Sequence, residues 1–318
     1  MNLSGPLFAL LAFGIYATHD VVIKFLGSTY SPFQIIFFST LFSFPLVTFM
    51  LMKDPTPGNL RPVHPWWTLA RTCFASVTGF TAFYAFSVLP LAQVYVLLFA
   101  SPLLITLLSI PLLGERVGPH RLFAVLLGLA GVLVVLRPGA TDLTLGHLAG
   151  ITSAVCNAVA SVIVRKIGKD ERPVVLMLYP MAANFLIMGS LLAFVYVPMP
   201  VEHVGGFALI AVMGFIAGMV LIAAYRNGDA AVVAPMQYSQ ILWASLFGFF
   251  LFGESVDRAT IIGAGLIVLS GLYIVFREAR LGGRSQAPVI ETKSRGATAI
   301  SFRVSPILAR GTSQEPAE

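Results

Sequence analysis

The chain has 318 residues, of which 57% are hydrophobic and only 11% charged, whereas a soluble globular domain carries about 25% charged residues. So much apolar surface excludes an ordinary soluble protein and calls for lipid as the solvent. The net charge of +6 does not mark a nucleic-acid binder, because the basic residues sit in short loops and a tail, with no basic face or aromatic-basic groove.

Taken in chain order, the apolar runs predict ten membrane spans: 3–26, 31–52, 66–88, 91–113, 119–136, 145–165, 173–197, 205–225, 230–252 and 258–276. Each is close to the roughly 20 residues that cross a bilayer as a helix. The first run has no basic segment before it and no small-residue cleavage site, so it reads as a retained helix. Charge and proline make clear breaks at Lys53–Pro65, Gly114–His120, Arg165–Pro173 and Pro198–His203, where lipid would penalise them. The break near Pro90 is weaker. Cys73 and Cys156 lie inside apolar runs without metal-ligand or CxxC spacing, and read as small core side chains. From residue 280 to 318 the composition turns to Gly, Ser, Arg, Thr and Pro, which predicts a disordered cytoplasmic tail.

With the N-terminus inside, every one of the 20 Lys and Arg residues except Lys24, Arg137 and Arg258 falls on the cytoplasmic side. Both termini are therefore expected in the cytoplasm, of a multi-pass protein in a bacterial inner (cytoplasmic) membrane.

The chain also repeats itself. Gly114-Glu115-Arg116-Val117 returns as Gly253-Glu254-Ser255-Val256, 139 residues later; Gly131 and Arg137 return as Gly271 and Arg277 at an offset of 140; Val21-Val22-Ile23-Lys24 returns as Val162-Ile163-Val164-Arg165 at 141. Two halves, 1–137 and 145–277, follow from these offsets. Five spans in each is an odd number, so the second half must insert upside down. Inverted repeats mark secondary transporters, because two similar halves can hold two states of nearly equal energy, each open to one side of a midplane site. The expected fold is an all-α integral membrane protein of ten transmembrane helices arranged as two inverted five-helix repeats.

The residues that carry this repeat resemble a known family. A helix ending near Pro90-Leu91-Ala92, an apolar helix running to Leu113-Gly114-Glu115-Arg116, then Gly128-x-x-Gly131 and Arg137 together resemble the EamA-type repeat of the drug/metabolite transporter superfamily. Asp229-Ala230-Ala231 to Gly253-Glu254, then Gly271 and Arg277, resemble it again. The resemblance covers nearly the whole chain up to the tail. It implies ten helices, cytoplasmic termini and a central cavity lined mainly by the first, third, fourth, sixth, eighth and ninth spans. It also implies cargoes drawn from amino acids, riboflavin, S-adenosylmethionine and other metabolites. In one departure, Ile241 stands where the first copy has Pro102, so a mid-helix hinge is expected in the fourth span only.

Ionisable groups inside a span are functional candidates, because a charge at the bilayer centre costs at least about 2.5–3.5 kcal/mol. The first span carries His19, Asp20 and Lys24, candidates for coupling or gating. Asp20 and Lys24, four residues apart, can instead neutralise each other on one helical face, with Lys24 reaching outward. His19 suits a proton relay or a hydrogen bond to a neighbouring helix. In the ninth span Gln237, Tyr238, Gln240 and Trp243 place amides, a hydroxyl and aromatic rings at midspan, as binding groups for a planar or amino-acid-like solute or as glue between helices. Tyr84 and Asn157 are further substrate-binding candidates, with Gln93, Tyr95, Tyr179 and Asn184 behind them. Glu115 and Glu254, at the ends of the fourth and ninth spans, suit loop structure or gating.

No HExxH, GxSxG or GxxxxGK[ST] motif and no clustered His or Asp pair occurs, which argues against an intramembrane enzyme and a nucleotide-driven pump. The expected function is a secondary transporter working by alternating access. Its best-guess cargo is riboflavin-like; an amino acid, S-adenosylmethionine or an exported drug is the alternative. The expected partners are a small-molecule substrate and the lipid bilayer, with no cofactor, metal or nucleic acid, in a monomer or homodimer.

Overall fold

The computed structural model describes residues 4–52, 60–115, 117–138, 143–168, 170–228 and 230–280; the expected tail lies outside these, apart from its first residue. Twelve α-helices account for most of them: α1 (Ser4–Gly27), α2 (Pro32–Met52), α3 (Pro65–Val88), α4 (Leu91–Leu98), α5 (Ala100–Leu113), α6 (Pro119–Leu136), α7 (Leu145–Ile167), α8 (Pro173–Val195), α9 (Val201–Asn227), α10 (Ala230–Val233), α11 (Ser239–Phe252) and α12 (Arg258–Arg280). A 3-10 turn, Ala234–Tyr238, joins α10 to α11.

Eight of these helical stretches are long and apolar enough to cross a bilayer: α1, α2, α4 with α5, α6, α7, α8, α9 and α12. The 24-residue α3 is long enough, but Arg71 and its Thr and Ser residues make it more polar. The 14-residue α11 reaches spanning length only with α10 and the 3-10 turn ahead of it. Large apolar side chains such as Leu7, Phe25, Phe194, Leu242 and Phe250 point outward, as lipid-facing residues do.

Helix ends follow local chemistry. Pro65, Pro119 and Pro173 open α3, α6 and α8, positions where the missing N–H has no intrahelical partner anyway. Gly114 and Gly253 end α5 and α11 in the left-handed region, at φ 68° and 65°, which glycine alone enters without strain. In both copies the glycine and the next glutamate turn their amides back onto the helix end: Glu115 N–H to the Ser109 carbonyl, Glu254 N–H to the Gly248 carbonyl. The Gly-Glu pair is thus a helix stop that throws a carboxylate back over the bundle end.

Two interruptions set the middle of the molecule. Pro102 has no N–H for the Leu98 carbonyl and its ring crowds that carbonyl, so α4 stops at Leu98 and α5 resumes at Ala100. The ninth span was expected to run unbroken because Ile241 replaces that proline. It is broken nonetheless: Pro235 stands in the first turn of the 3-10 segment and α11 begins at Ser239.

The packing exchanges partners between distant parts of the chain. α1 packs along α9 and against α11, while α7 packs along α3 and against α5; α2 lies on α8 and α9. α6 pairs with α12, where a Cβ on Gly131 would fall 2.7 Å from the Gly263 carbonyl oxygen and one on Gly263 2.4 Å from that of Gly131. Glycine at both positions lets the two backbones touch.

Candidate functional site

The two helix interruptions meet. The Phe99 ring, at the break between α4 and α5, lies edge-on to Tyr238, at the break before α11, with centroids 5.3 Å apart. Tyr95 stands one turn from Phe99, 5.9 Å between ring centroids, and its hydroxyl donates to Asp20 Oδ2 on α1. His19 Nδ1 lies 2.8 Å from the other oxygen, Asp20 Oδ1. Asp20 and His19 are only 3% and 4% exposed, so the carboxylate is held by a phenol and an imidazole far from water.

At the break, the 3-10 turn and the start of α11 carry several side-chain atoms without a hydrogen-bond partner. Gln237 Nε2, Ser239 Oγ, Gln240 Nε2 and Trp243 Nε1 are all buried without a hydrogen-bond partner. The 3-10 geometry brings residues three apart into line, so Gln237 and Gln240 share a face that Trp243 extends. That face meets α1: a side chain at Gly14 would touch the Trp243 indole at 3.5 Å. Each unsatisfied buried donor costs about 1–3 kcal/mol. All four lie within residues 237–243, about two turns of helix, and such a cluster of unpartnered atoms calls for an explanation.

The remaining expected residues fall in different surroundings. Tyr238 turns its hydroxyl toward α12, so close to Gly271 that a Cβ there would collide with it, while its ring packs against Phe99. Asn157 Nδ2 donates to Ser101 Oγ across α7 and α5 at 2.8 Å, close to the α4–α5 break. Tyr84 packs half-buried against the main apolar cluster. Tyr179 bonds the Leu60 carbonyl at an exposed position. Asn184, fully buried on α8, leaves both amide atoms unpartnered.

Lys24 does not pair with Asp20. Its Nζ sits 2.6 Å from Glu254 Oε1, bonds the Leu89 carbonyl and lies 5.3 Å from the Phe252 ring centroid. Glu254 Oε2 in turn accepts the Leu91 N–H at 3.0 Å. Further links close this end of the bundle: Tyr30 to His203 at 2.6 Å, and the Gln34 side chain to both backbone groups of Val197 at 2.8 and 2.9 Å. At the opposite end Arg165 pairs with Glu115, Arg71 bonds the Leu176 carbonyl, and Glu171 accepts the His64 N–H at 2.6 Å. Ion pairs thus stand at both ends of the bundle, with the two helix breaks between them.

The EamA-like transporter family pattern matches residues 3–137 and again 144–276. The chain belongs to that family. It is 24% identical to an S-adenosylmethionine uptake transporter of Rickettsia bellii, over 85% of this chain and 92% of that one. It is 26% identical to a pseudopaline exporter of Pseudomonas aeruginosa, over 84% and 94%, and 29% identical to a riboflavin transporter of Rhizobium johnstonii, over 76% and 79%. A crystal structure at 21% identity superposes with a TM-score of 0.59 over 88% of this chain and 98% of the other, a likeness of fold. Membership makes the chain a multi-pass membrane protein with a small-molecule substrate, and points to a transporter rather than an enzyme.

Phe99 and Ser101 were absent from the sequence-based candidates, and Arg71 was counted only as a topogenic charge. Phe99 had one signal in the sequence, the repeat offset of 139 that sets it opposite Tyr238.

Proposed function

We propose that this EamA-like transporter is a secondary carrier of a planar, polar heteroaromatic metabolite, riboflavin-like in its chemistry, moved across a bacterial inner membrane by alternating access. The two halves act as inverted five-helix repeats, and the positive-inside count puts both termini and the Arg165 end in the cytoplasm. The observation that carries the cargo reading is the row of unpartnered donors, Gln237, Gln240 and Trp243, beside the aromatic contact of Phe99 and Tyr238. Amides satisfy the ring edge of a heteroaromatic solute, and aromatic rings cover its faces. S-adenosylmethionine, whose adenine offers a similar edge, is the second probe, because relatives named for each of these cargoes align over most of the chain.

Asp20 is the proton-coupling group of this reading. Its carboxylate touches a tyrosine and a histidine and lies one helical turn from the Lys24 closure, so gaining or losing a proton changes what holds α1 to α4. The test is uptake of labelled riboflavin, S-adenosylmethionine and an aromatic amino acid into proteoliposomes, with and without a pH gradient. Accumulation of a heteroaromatic solute whose apparent affinity Gln240→Ala weakens supports the site; accumulation of the amino acid alone removes the cargo reading.

A further inference from the structure

We propose that Lys24–Glu254 and Arg165–Glu115 are two copies of one latch, and that this structure holds the first gripping backbone and the second paired without that grip. The repeat offsets pair Lys24 with Arg165 and Glu254 with Glu115. The ion pairs cross accordingly: the base ending α1 meets the glutamate after α11, and the base ending α7 meets the glutamate after α5. They stand at opposite ends of the bundle. Lys24 shares its end with Leu89 and Leu91, whereas Arg165 and Glu115 share theirs with the starts of α3 and α8.

The first latch does more than pair charges. Lys24 Nζ takes the Leu89 carbonyl and Glu254 Oε2 takes the Leu91 N–H, so the pair grips the backbone on both sides of Pro90, where α3 hands over to α4. The pair thereby ties α1 and α11 to the handover between α3 and α4, helices against which they also pack. By the offset of 139, Leu89 and Leu91 correspond to Gly228 and Ala230, at the handover from α9 to α10. The matching grip would be Arg165 on the Gly228 carbonyl and Glu115 on the Ala230 N–H. Arg165 Nη1 is instead buried with no partner, a guanidinium hydrogen left without an acceptor at a cost that must be recovered elsewhere. The unmade bond is the one the repeat calls for.

Opening the Lys24 end releases the Pro90 grip, and closing the Arg165 end makes the Gly228 grip. Each latch thus weights one of two states, and weakening one shifts population to the other. This rests on the alternating-access reading above, but its test needs no cargo. Hydrogen exchange by mass spectrometry on the full chain in nanodiscs follows peptides spanning 88–98 and 227–238. Glu254→Gln should speed exchange in 88–98 by about tenfold, since losing one partner of a buried pair costs more than the 1.4 kcal/mol or so that a factor of ten represents. The same variant should slow exchange in 227–238. Glu115→Gln should do the reverse, and Lys24→Arg should behave like the wild type.

Local loosening without the opposite change elsewhere overturns the proposal and makes both pairs fixed staples. So does loosening of both peptides by either variant. If Glu254→Gln does not fold, Glu115→Gln decides alone, because Glu115 is the more exposed partner. A reciprocal shift in a protein that moves none of the tested solutes keeps the latches and removes the cargo; uptake without the shift keeps transport and removes the latches.

Discussion

At one end of the bundle Lys24 reaches a carboxylate, a backbone carbonyl and an aromatic face; at the other, Arg165 reaches a carboxylate and leaves one nitrogen without a partner. The parts are matched in sequence and unmatched in use. The Lys24 side chain is 11% exposed and its Glu254 partner 17%, whereas Glu115 is 34% exposed. An ion pair strengthens as water leaves it, and breaking a buried one strands a charge. Equal chemistry at the two ends therefore does not mean equal strength, and the closed end is the one whose pair also holds backbone.

The midplane shows the same inequality more sharply, and its loss has the largest expected effect. Asp20 corresponds by the offset of 141 to Ser161, so only the first half brings an acid to the middle. Asp20→Asn should cut gradient-driven uptake by about a hundredfold, the scale on which a positioned proton-transfer group acts. Ser161→Ala should leave uptake within roughly twofold on the same basis. Equal losses in the proteoliposome assay would mean that both α1 and α7 carry coupling groups.

Next comes the difference between the ends in stability. Glu254→Gln should lower unfolding stability by about 2 kcal/mol, below the figure for a fully buried pair because water reaches this one. Glu115→Gln, at the wetter pair, should lower it by less than about 1 kcal/mol. Thermal unfolding in detergent reads both, and equal losses would erase the distinction between a pair that grips backbone and one that does not.

A smaller effect separates the two polar positions at the helix breaks. Gln240 matches Ser101 at the offset of 139, but Ser101 already accepts from Asn157 whereas Gln240 Nε2 has no partner. Gln240→Ala should weaken apparent cargo affinity by about tenfold, the worth of one buried hydrogen bond, and leave stability unchanged or improved. Ser101→Ala should instead lower stability by about 1 kcal/mol and touch affinity little. Concentration dependence of uptake alongside a melting curve distinguishes the two, and reversed results would move the binding face from α11 to α5.

Eight of the expected spans were legible because lipid imposes a length and a polarity on every segment that crosses it, and 119–136 emerged as α6 with the same limits. The two Gly-Glu helix stops were legible because such a stop needs a left-handed glycine. What failed was reading across the bundle. Asp20 and Lys24 look like partners because four residues is a visible spacing, while Glu254, their rival for Lys24, is 230 positions away from it. Pro235 was passed over because the search for a hinge followed the register of Pro102. A helix break depends on where the ladder loses a donor, and the second half loses its own at Pro235, ahead of Ile241 where the repeat would place it.

The smallest of these tests bears on what else keeps the Lys24 end shut. Tyr30 meets His203 at 2.6 Å, in a cluster where Phe207 also packs edge-on to the tyrosine ring at 5.4 Å. Tyr30→Phe keeps that packing and removes one partly buried hydrogen bond, so stability should fall by about 1 kcal/mol. Exchange in 88–98 should barely change, because Tyr30 joins the start of α2 to α9 and does not touch the Pro90 backbone. If exchange there rises as much as in Glu254→Gln, the closure is a single cooperative surface, and Lys24 is one of its members instead of its holder.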